Sequence, residues 1–489
     1  MSKAAVLTRR TVLHGTAAGA TLLAGGTQAQ PVRPPNPVRP PNIVFILADD
    51  LGYADLSCYG RPDIATPSID RIAAQGVRFV QGYANSAVCS ATRAALITGR
   101  YQYRLRVGLE EPISGTSENV GLPPEHPTLP SLLRAAGYGT TLLGKWHLGS
   151  LPDYSPLKSG YDHFWGFRGG SLDYFTHKGL TGRDDLWDGD MPVQETGYMT
   201  DLIGDRAVAS IGAYAQSRQP FLLSVHFNAP HWPWEGPGDI AESERLRTAS
   251  LHHYDGGSQR TYREMVERMD AQVGRVLQAL DAHGLAEGTI VAFSSDNGGE
   301  RFADTWPFTG RKTELLEGGL RVPMVLRWPA RVRPCQVTQQ VAISMDWLPT
   351  LLAAAGAAPA PGHSPDGMDL LPFLTGAAPM PRKLFWRYKA NHQRAARDGD
   401  WKLLKIGGNT FLFDVEADPM ERANLRDRHR DVFDRLAAEW DAWDAGMLPE
   451  VRESFTEGFT ARQLADHIGA SPVPRDPDPV QGWPVPAEK

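Results

Sequence analysis

Four short apolar runs, each ending abruptly in polar residues, set the pattern of the chain: "NIVFILADD" (42–50), "GTTLLGKWHLG" (139–149), "PFLLSVHFNAPH" (220–231) and "TIVAFSSDNGG" (289–299). A short β-rich run without polar alternation predicts a strand buried on both faces, as parallel sheets have. Between the runs the period changes. In "REMVERMDAQVGRVLQALDAHG", Met265, Met269, Val273, Val276, Leu277 and Leu280 fall on one helical face and Gly284 supplies the stop. Alternating strands and helices predict a doubly wound α/β sheet. In such sheets the site lies beyond the carboxyl ends of the strands, where all four polar clusters fall.

From Pro381 onward the pattern shortens. "KLFWRYK", "QRAARDGDWKLLKI" and "NTFLFDVEADP" read as antiparallel strands with turns, followed by a helix, "RDVFDRLAAEWDAWDAGM". Its Phe433, Trp440 and Trp443 fit a packed helix face better than a sugar platform. A proline-rich tail ends the chain. The expected organisation is a catalytic domain over 43–380 and a small C-terminal subdomain with its tail over 381–489.

The N-terminus reads as an address. "TRRTVLHGTAAGATLLAGGTQAQ" pairs Arg9 and Arg10 with a short Ala/Gly/Leu stretch and small residues near Ala29, and resembles a twin-arginine export signal over 1–30. The tandem "PVRPPN" of 31–42 reads as a stiff spacer. No apolar run is long enough to span a bilayer stably, so a periplasmic or secreted protein without a membrane span is expected, handled by the twin-arginine machinery.

Composition excludes some partners. A net charge of -6 without a long basic run gives no footprint for nucleic acid. Three cysteines, Cys58, Cys89 and Cys335, do not make a disulfide framework. Cys89, in "SAVCSATRAALITGR", therefore reads as a buried, reactive or modified thiol.

The polar ends of the strands carry candidate chemistry. Asp49 and Asp50 follow one strand; Asp296 and Asn297 follow another. Any one pair is commonly a turn or cap. Three carboxylates gathered together would repel one another unless a cation intervened, and all-oxygen ligands favour calcium or magnesium over zinc. In "GKWHLG", Lys145 and His147 alternate, so an extended segment turns both side chains the same way. Lysine and histidine beside a cation suit a tetrahedral oxyanion, and histidine moves protons near neutral pH. His231 in "NAPHWPW" and Lys312 in "GRKTELLEGGLRVP" extend the set. His126, His163, His252, His253 and His283 keep the ordinary reading of surface or core histidines.

From "NIVFILADDLGYADLSCYG" to "WKLLKIGGNTFLFDVEADPMERANL" the chain resembles the formylglycine-dependent sulfatases of the alkaline phosphatase superfamily. The resemblance implies an alkaline-phosphatase-like α/β sandwich, its large, mostly parallel central sheet flanked by helices, with a small C-terminal α+β subdomain carrying an antiparallel sheet. It also implies that "CSATR" is the signature motif, usually Cys-x-Pro-x-Arg, whose cysteine a formylglycine-generating enzyme oxidises to an aldehyde. By that resemblance one hydroxyl of hydrated formylglycine attacks sulfur, and loss of the other's proton then expels sulfate. Asp49, Asp50, Asp296, Asn297 and modified Cys89 would hold calcium, with magnesium as the other choice. Arg93 would stabilise the hydrate. Lys145, His231 and Lys312 would bind sulfate, one of the last two protonating the leaving oxygen. His147 would take the proton that triggers release, and Ser171, in "RGGSLDY", would contact substrate. Ala91 stands where the family usually has proline, which bears on maturation.

The expected activity is hydrolysis of a sulfated carbohydrate or aryl sulfate. The alternatives are a phosphonate or phosphodiester hydrolase on the same scaffold, and a noncatalytic sulfated-glycan binding protein with unmodified Cys89.

Overall fold

The structure, a computed structural model, describes residues 39–113 and 119–450. The export signal, residues 31–38 of the spacer and the proline-rich tail lie outside the described residues. The four apolar runs form four contiguous strands at the centre of a ten-stranded sheet, in the order Thr289–Ser295, Asn42–Ala48, Phe221–His226, Gly139–Lys145. All three pairings among them are parallel. Their carboxyl ends therefore lie along one edge, as the pattern predicted.

The sheet is mixed beyond this centre. Met324–Arg327 runs antiparallel to both Thr289–Ser295 and Val77–Phe79. On the other side His163–Phe167 is parallel to Gly139–Lys145, and the short pair 187–188 and 191–192 ends the sheet antiparallel.

Apolar side chains on both faces of the central strands explain why they are buried. One core gathers Val44, Ile46, Leu223, Val225, Val291 and Phe293 with the helix Gln259–Ala282. The other gathers Ile43, Phe45, Leu47, Leu222, Ile290 and Ala292 with Trp347 and Leu351 of the helix Trp347–Ala355. The six predicted face residues of Gln259–Ala282 are all buried. Each such side chain contributes about 1.5–3 kcal/mol. Gly284, at φ 65, takes the left-handed backbone that ends the helical run.

The C-terminal segments form a four-stranded antiparallel sheet, Lys383–Tyr388, Gln393–Asp398, Trp401–Ile406 and Asn409–Asp414. The helix Arg430–Asp444 packs on it through Leu436 and Trp440, with Phe433 and Trp443 half-buried beside them. These aromatics belong to the packing. Among the described residues no helix is long and apolar enough to cross a membrane.

Candidate active site

Two strand ends bring the carboxylates together. Asp49 and Asp50 follow Asn42–Ala48, and Asp296 follows the neighbouring Thr289–Ser295. Asp50 has φ 63, a left-handed backbone that aspartate tolerates better than most residues. The turn ends the strict alternation of a strand, so consecutive carboxylates join one cluster. The Asp50 backbone N–H donates to Asp296 Oδ1 at 3.2 Å, and Asn297 Nδ2 donates to Asp50 Oδ1 at 2.7 Å.

Cys89 opens the helix Cys89–Thr98, all ten residues of which are buried. Thr92 fixes the entry by accepting from the Ser86 backbone N–H at 2.9 Å and donating to the Ser86 carbonyl at 3.0 Å. Arg93, four residues after Cys89, shares its helix face. Its Nε and Nη2 donate to Asp296 Oδ2 at 3.0 and 2.9 Å, and its Nη1 to the Lys145 carbonyl at 3.2 Å. Ala91 is the third residue of the helix, where a backbone N–H has no intrahelical acceptor. Alanine in place of proline thus removes nothing from the folded helix.

The cations close the cluster. Lys145 Nζ lies 2.5 Å from Asp49 Oδ2, and Lys312 Nζ lies 2.7 Å from Asp50 Oδ2 and 2.9 Å from Glu300 Oε1. His231 Nε2 is 3.5 Å from Asp50 Oδ2, and its Nδ1 is 2.6 Å from the Trp232 carbonyl. Nine predicted residues thus meet in one buried cluster: Asp49, Asp50, Cys89, Arg93, Lys145, His231, Asp296, Asn297 and Lys312.

His147 lies close enough to feel the charges of Lys145, Arg93 and Asp296, but neither it nor Ser171 makes a hydrogen bond to the carboxylates. The alternation argument for Lys145 and His147 fails. The strand ends at Lys145, and His147 has φ 57, so the two are not successive outward positions of one extended segment. His147 Nε2 lies 2.9 Å from the Ile113 carbonyl, while its buried Nδ1 has no hydrogen-bond partner. Gly170 lies against that imidazole: a Cβ there would come within 2.8 Å of His147 Cε1 and Nε2. Ser171 is buried, and its hydroxyl too has no partner.

Burial dominates the electrostatics. It pushes the Asp49 carboxyl up to about 7 against the pull of Lys145, and raises Asp50 well above the usual carboxylate range against Lys312. Burial raises Asp296 as well, but Arg93 and Lys145 outweigh it and hold that group below its ordinary value. The Cys89 thiol is raised by burial, and His147 and His231 are held well below the usual histidine range by burial and neighbouring lysines. The site is charge-dense and poorly solvated.

It also has unmet acceptors. Asp49 Oδ1 and Asn297 Oδ1 are buried without hydrogen-bond partners. Asp49, Cys89 and Asp296, and separately Asp49, Asp50 and His231, each offer ligand atoms within 4.8 Å of one another. Hard oxygen acceptors crowded together without enough donors fit a divalent cation of the calcium or magnesium type. The position of Cys89 among them fits an oxygen-bearing replacement for its thiol.

Glu300 and Asn228 were not singled out from the sequence. Glu300 stands three residues after Asn297, one beyond the quoted "DNGG", and an acidic residue so close to a candidate ligand was the available signal. Asn228, buried with both side-chain polar atoms unpartnered, begins "NAPHWPW" and gave no signal beyond its nearness to His231. His253 is a satisfied core residue that accepts from the Trp234 backbone at 3.0 Å and faces Glu242 at 2.7 Å, and His252 stacks on Trp232 at 5.0 Å.

Comparison with known proteins converges on one family. The Sulfatase family profile matches residues 41–357, and the profile for the C-terminal part of N-sulphoglucosamine sulphohydrolase matches 310–442. The chain is 34% identical to arylsulfatase A of Homo sapiens over 497 residues, covering 94% of each. It is 32% identical to N-acetylgalactosamine-6-sulfatase of Mus musculus over 403 residues, 78% of this chain and 73% of that protein. The solved structure of Ps i-CgsB in complex with k-i-k-neocarrahexaose superimposes with a TM-score of 0.75 at 30% identity, covering 88% of this chain and 98% of that one. With the four strand ends gathered around one buried cluster of carboxylates and cations, these matches show that the chain belongs to the sulfatase family, enzymes of sulfate ester hydrolysis.

Proposed function

We propose that this sulfatase cleaves sulfate esters of sugars or phenols with an aldehyde made from Cys89 and a calcium ion held by Asp49, Asp50, Asp296 and Asn297. The observation that carries the reading is the cluster itself. Three buried carboxylates lie beside Cys89, with Asp49 Oδ1 and Asn297 Oδ1 unpartnered, while three cationic side chains bind the same carboxylates from outside. When present, the modified residue supplies a nucleophile that is regenerated as sulfate leaves, and the cation supplies a Lewis acid.

The chain's own groups do the rest. Lys145 and Lys312 sit at the carboxylates and offer ammonium donors to sulfate oxygens. Arg93 is anchored to Asp296 and the Lys145 carbonyl, so its guanidinium stays fixed under Cys89. Burial keeps His231 and His147 neutral at pH 7, so either accepts a proton. Lys312 delivers a proton to the leaving oxygen, or His231 does once it has itself accepted one, and Ser171 offers a hydroxyl to substrate. Magnesium has the same ligand chemistry as calcium. A formylglycine-generating enzyme converts Cys89, and the twin-arginine route carries the protein to the periplasm or beyond.

The test is intact-peptide mass spectrometry of the fragment containing Cys89, made in a host that converts a control sulfatase. It is paired with rates on matched 4-nitrophenyl sulfate, phosphate and phosphonate. The expected result is a residue that has exchanged sulfur and two hydrogens for one oxygen, with the sulfate fastest. Unmodified cysteine without turnover would return the weight to a binding protein, and a faster phosphonate to the alternative hydrolase.

A further inference from the structure

Glu300 touches one of the two groups that face the leaving oxygen in the proposed reaction, Lys312, and the ring that packs on the other, His231. Glu300 Oε1 lies 2.9 Å from Lys312 Nζ and accepts the Trp232 indole N–H at 3.2 Å. The Trp232 ring packs against His231 with centroids 4.5 Å apart, and against His252 at 5.0 Å; His252 in turn stacks on Tyr254 at 5.4 Å. One buried carboxylate oxygen therefore joins the ammonium of Lys312 to a short stack of rings that ends at His231.

Charge neutralisation alone does not account for this residue. Lys312 already has Asp50 at 2.7 Å, and burying a second carboxylate is costly unless its contacts repay it. Asp50 is also a candidate cation ligand. A carboxylate engaged by a cation holds an ammonium less firmly, which leaves Glu300 as the steady anchor of Lys312.

Scission of the S–O bond sends its electron pair to the leaving oxygen, which takes a proton from Lys312 or His231. That proton matters most when the departing alcohol is a poor leaving group. We propose that Glu300 is a positioning residue that fixes Lys312 and the His231–Trp232 ring pair in one frame at the leaving oxygen. The proposal rests on the sulfatase reading of the site.

The test uses full-length protein with Cys89 conversion verified, and a series of aryl sulfates running from 4-nitrophenyl to 4-methoxyphenyl. Glu300→Ala is expected to lower kcat by about 100-fold on the most basic phenol and by less than about tenfold on nitrophenol, with KM little changed. Glu300→Gln, which keeps the shape and an acceptor oxygen, is expected to fall between. The double variant Glu300→Ala/Lys312→Ala is expected to be no slower than Lys312→Ala alone. Equal losses across the series, or losses that multiply in the double variant, would overturn the proposal. If Glu300→Ala does not fold, Glu300→Gln and Trp232→Phe carry the same comparison. A converted wild type that hydrolyses none of the series would overturn the sulfatase reading with it; an active wild type with equal losses removes only the role of Glu300.

Discussion

Two buried charge clusters sit about one short loop apart in sequence, and they are built on opposite principles. In the second, Glu317 takes the Tyr83 hydroxyl at 2.6 Å, Arg321 at 2.5 Å and Lys402 at 2.9 Å. Lys402 is shared with Glu421 at 2.9 Å, and Glu421 accepts the Glu317 backbone N–H at 2.6 Å. Burial raises Glu317, but Lys402 and Arg321 outweigh it and hold the carboxyl far below its usual range. That cluster ties the C-terminal sheet to the segment following Lys312. Gln393 adds to the tie by donating to the Thr313 carbonyl at 2.8 Å and accepting the Leu315 N–H at 2.9 Å. Among the carboxylates of this second cluster burial wins only at Glu421, pushed up to about 7, whose Oε1 lacks a hydrogen bond but keeps Lys402 at 2.9 Å. In the active site, by contrast, burial wins at both Asp49 and Asp50, and the four carboxylates of Asp49, Asp50, Asp296 and Glu300 share only three cations, Arg93, Lys145 and Lys312. A buried cluster completed by its own chain is structural, and one left short of positive charge is a place for a ligand.

The sharpest way to break that contrast is to damage each cluster in turn. Lys402→Met leaves Glu317 and Glu421 without their shared cation. It is expected to cost about 3–5 kcal/mol of stability, read by denaturant unfolding, with or without calcium present. Asp50→Asn is expected to lower kcat/KM at least about 100-fold. It should also raise the melting temperature of the chelated protein, because asparagine mimics the neutral form that burial favours. A fall in that temperature would place Asp50 among the structural charges.

Chelation of wild type should lower its melting temperature by several degrees, since a ligand at 100 times its Kd adds about 2.7 kcal/mol. A further expected effect lies outside both clusters and appears only as a pH dependence. Glu235, pushed up to about 9 by burial and Asp173, binds its proton more tightly folded than unfolded. The stability it contributes is full below the ordinary glutamate value and is lost as pH rises toward 9, up to about 4 kcal/mol between pH 5 and 8. Glu235→Gln should flatten that slope in unfolding measured across the range.

Much of this was legible because period and chemistry coincide. The four central strands and the Gln259–Ala282 helix follow directly from apolar spacing, and the four C-terminal strands from turn spacing. Cys89, Arg93 and the ligand pairs were found because they sit at strand ends or in a dense motif. The antiparallel Met324–Arg327 strand was not found, being a four-residue run beside two prolines. Alternation is no guide to His147, whose left-handed backbone it cannot register, and the place of His147 in the site rests on the family resemblance. Glu300 stands close to Asn297 and Lys312 in sequence, but it escaped because its link to His231 runs through Trp232, 68 residues away, which only tertiary structure brings near. The Glu317–Lys402 cluster escaped likewise, as only tertiary structure brings residues so far apart together.

The central claim is that the active-site cluster is completed by a divalent cation, and calorimetric titration of calcium into chelated wild-type protein tests it most directly. The expected result is one calcium per chain, lost in Asp50→Asn and weakened as pH falls, because the ligands must be deprotonated to bind. A folded wild-type protein that takes up neither calcium nor magnesium would contradict the claim.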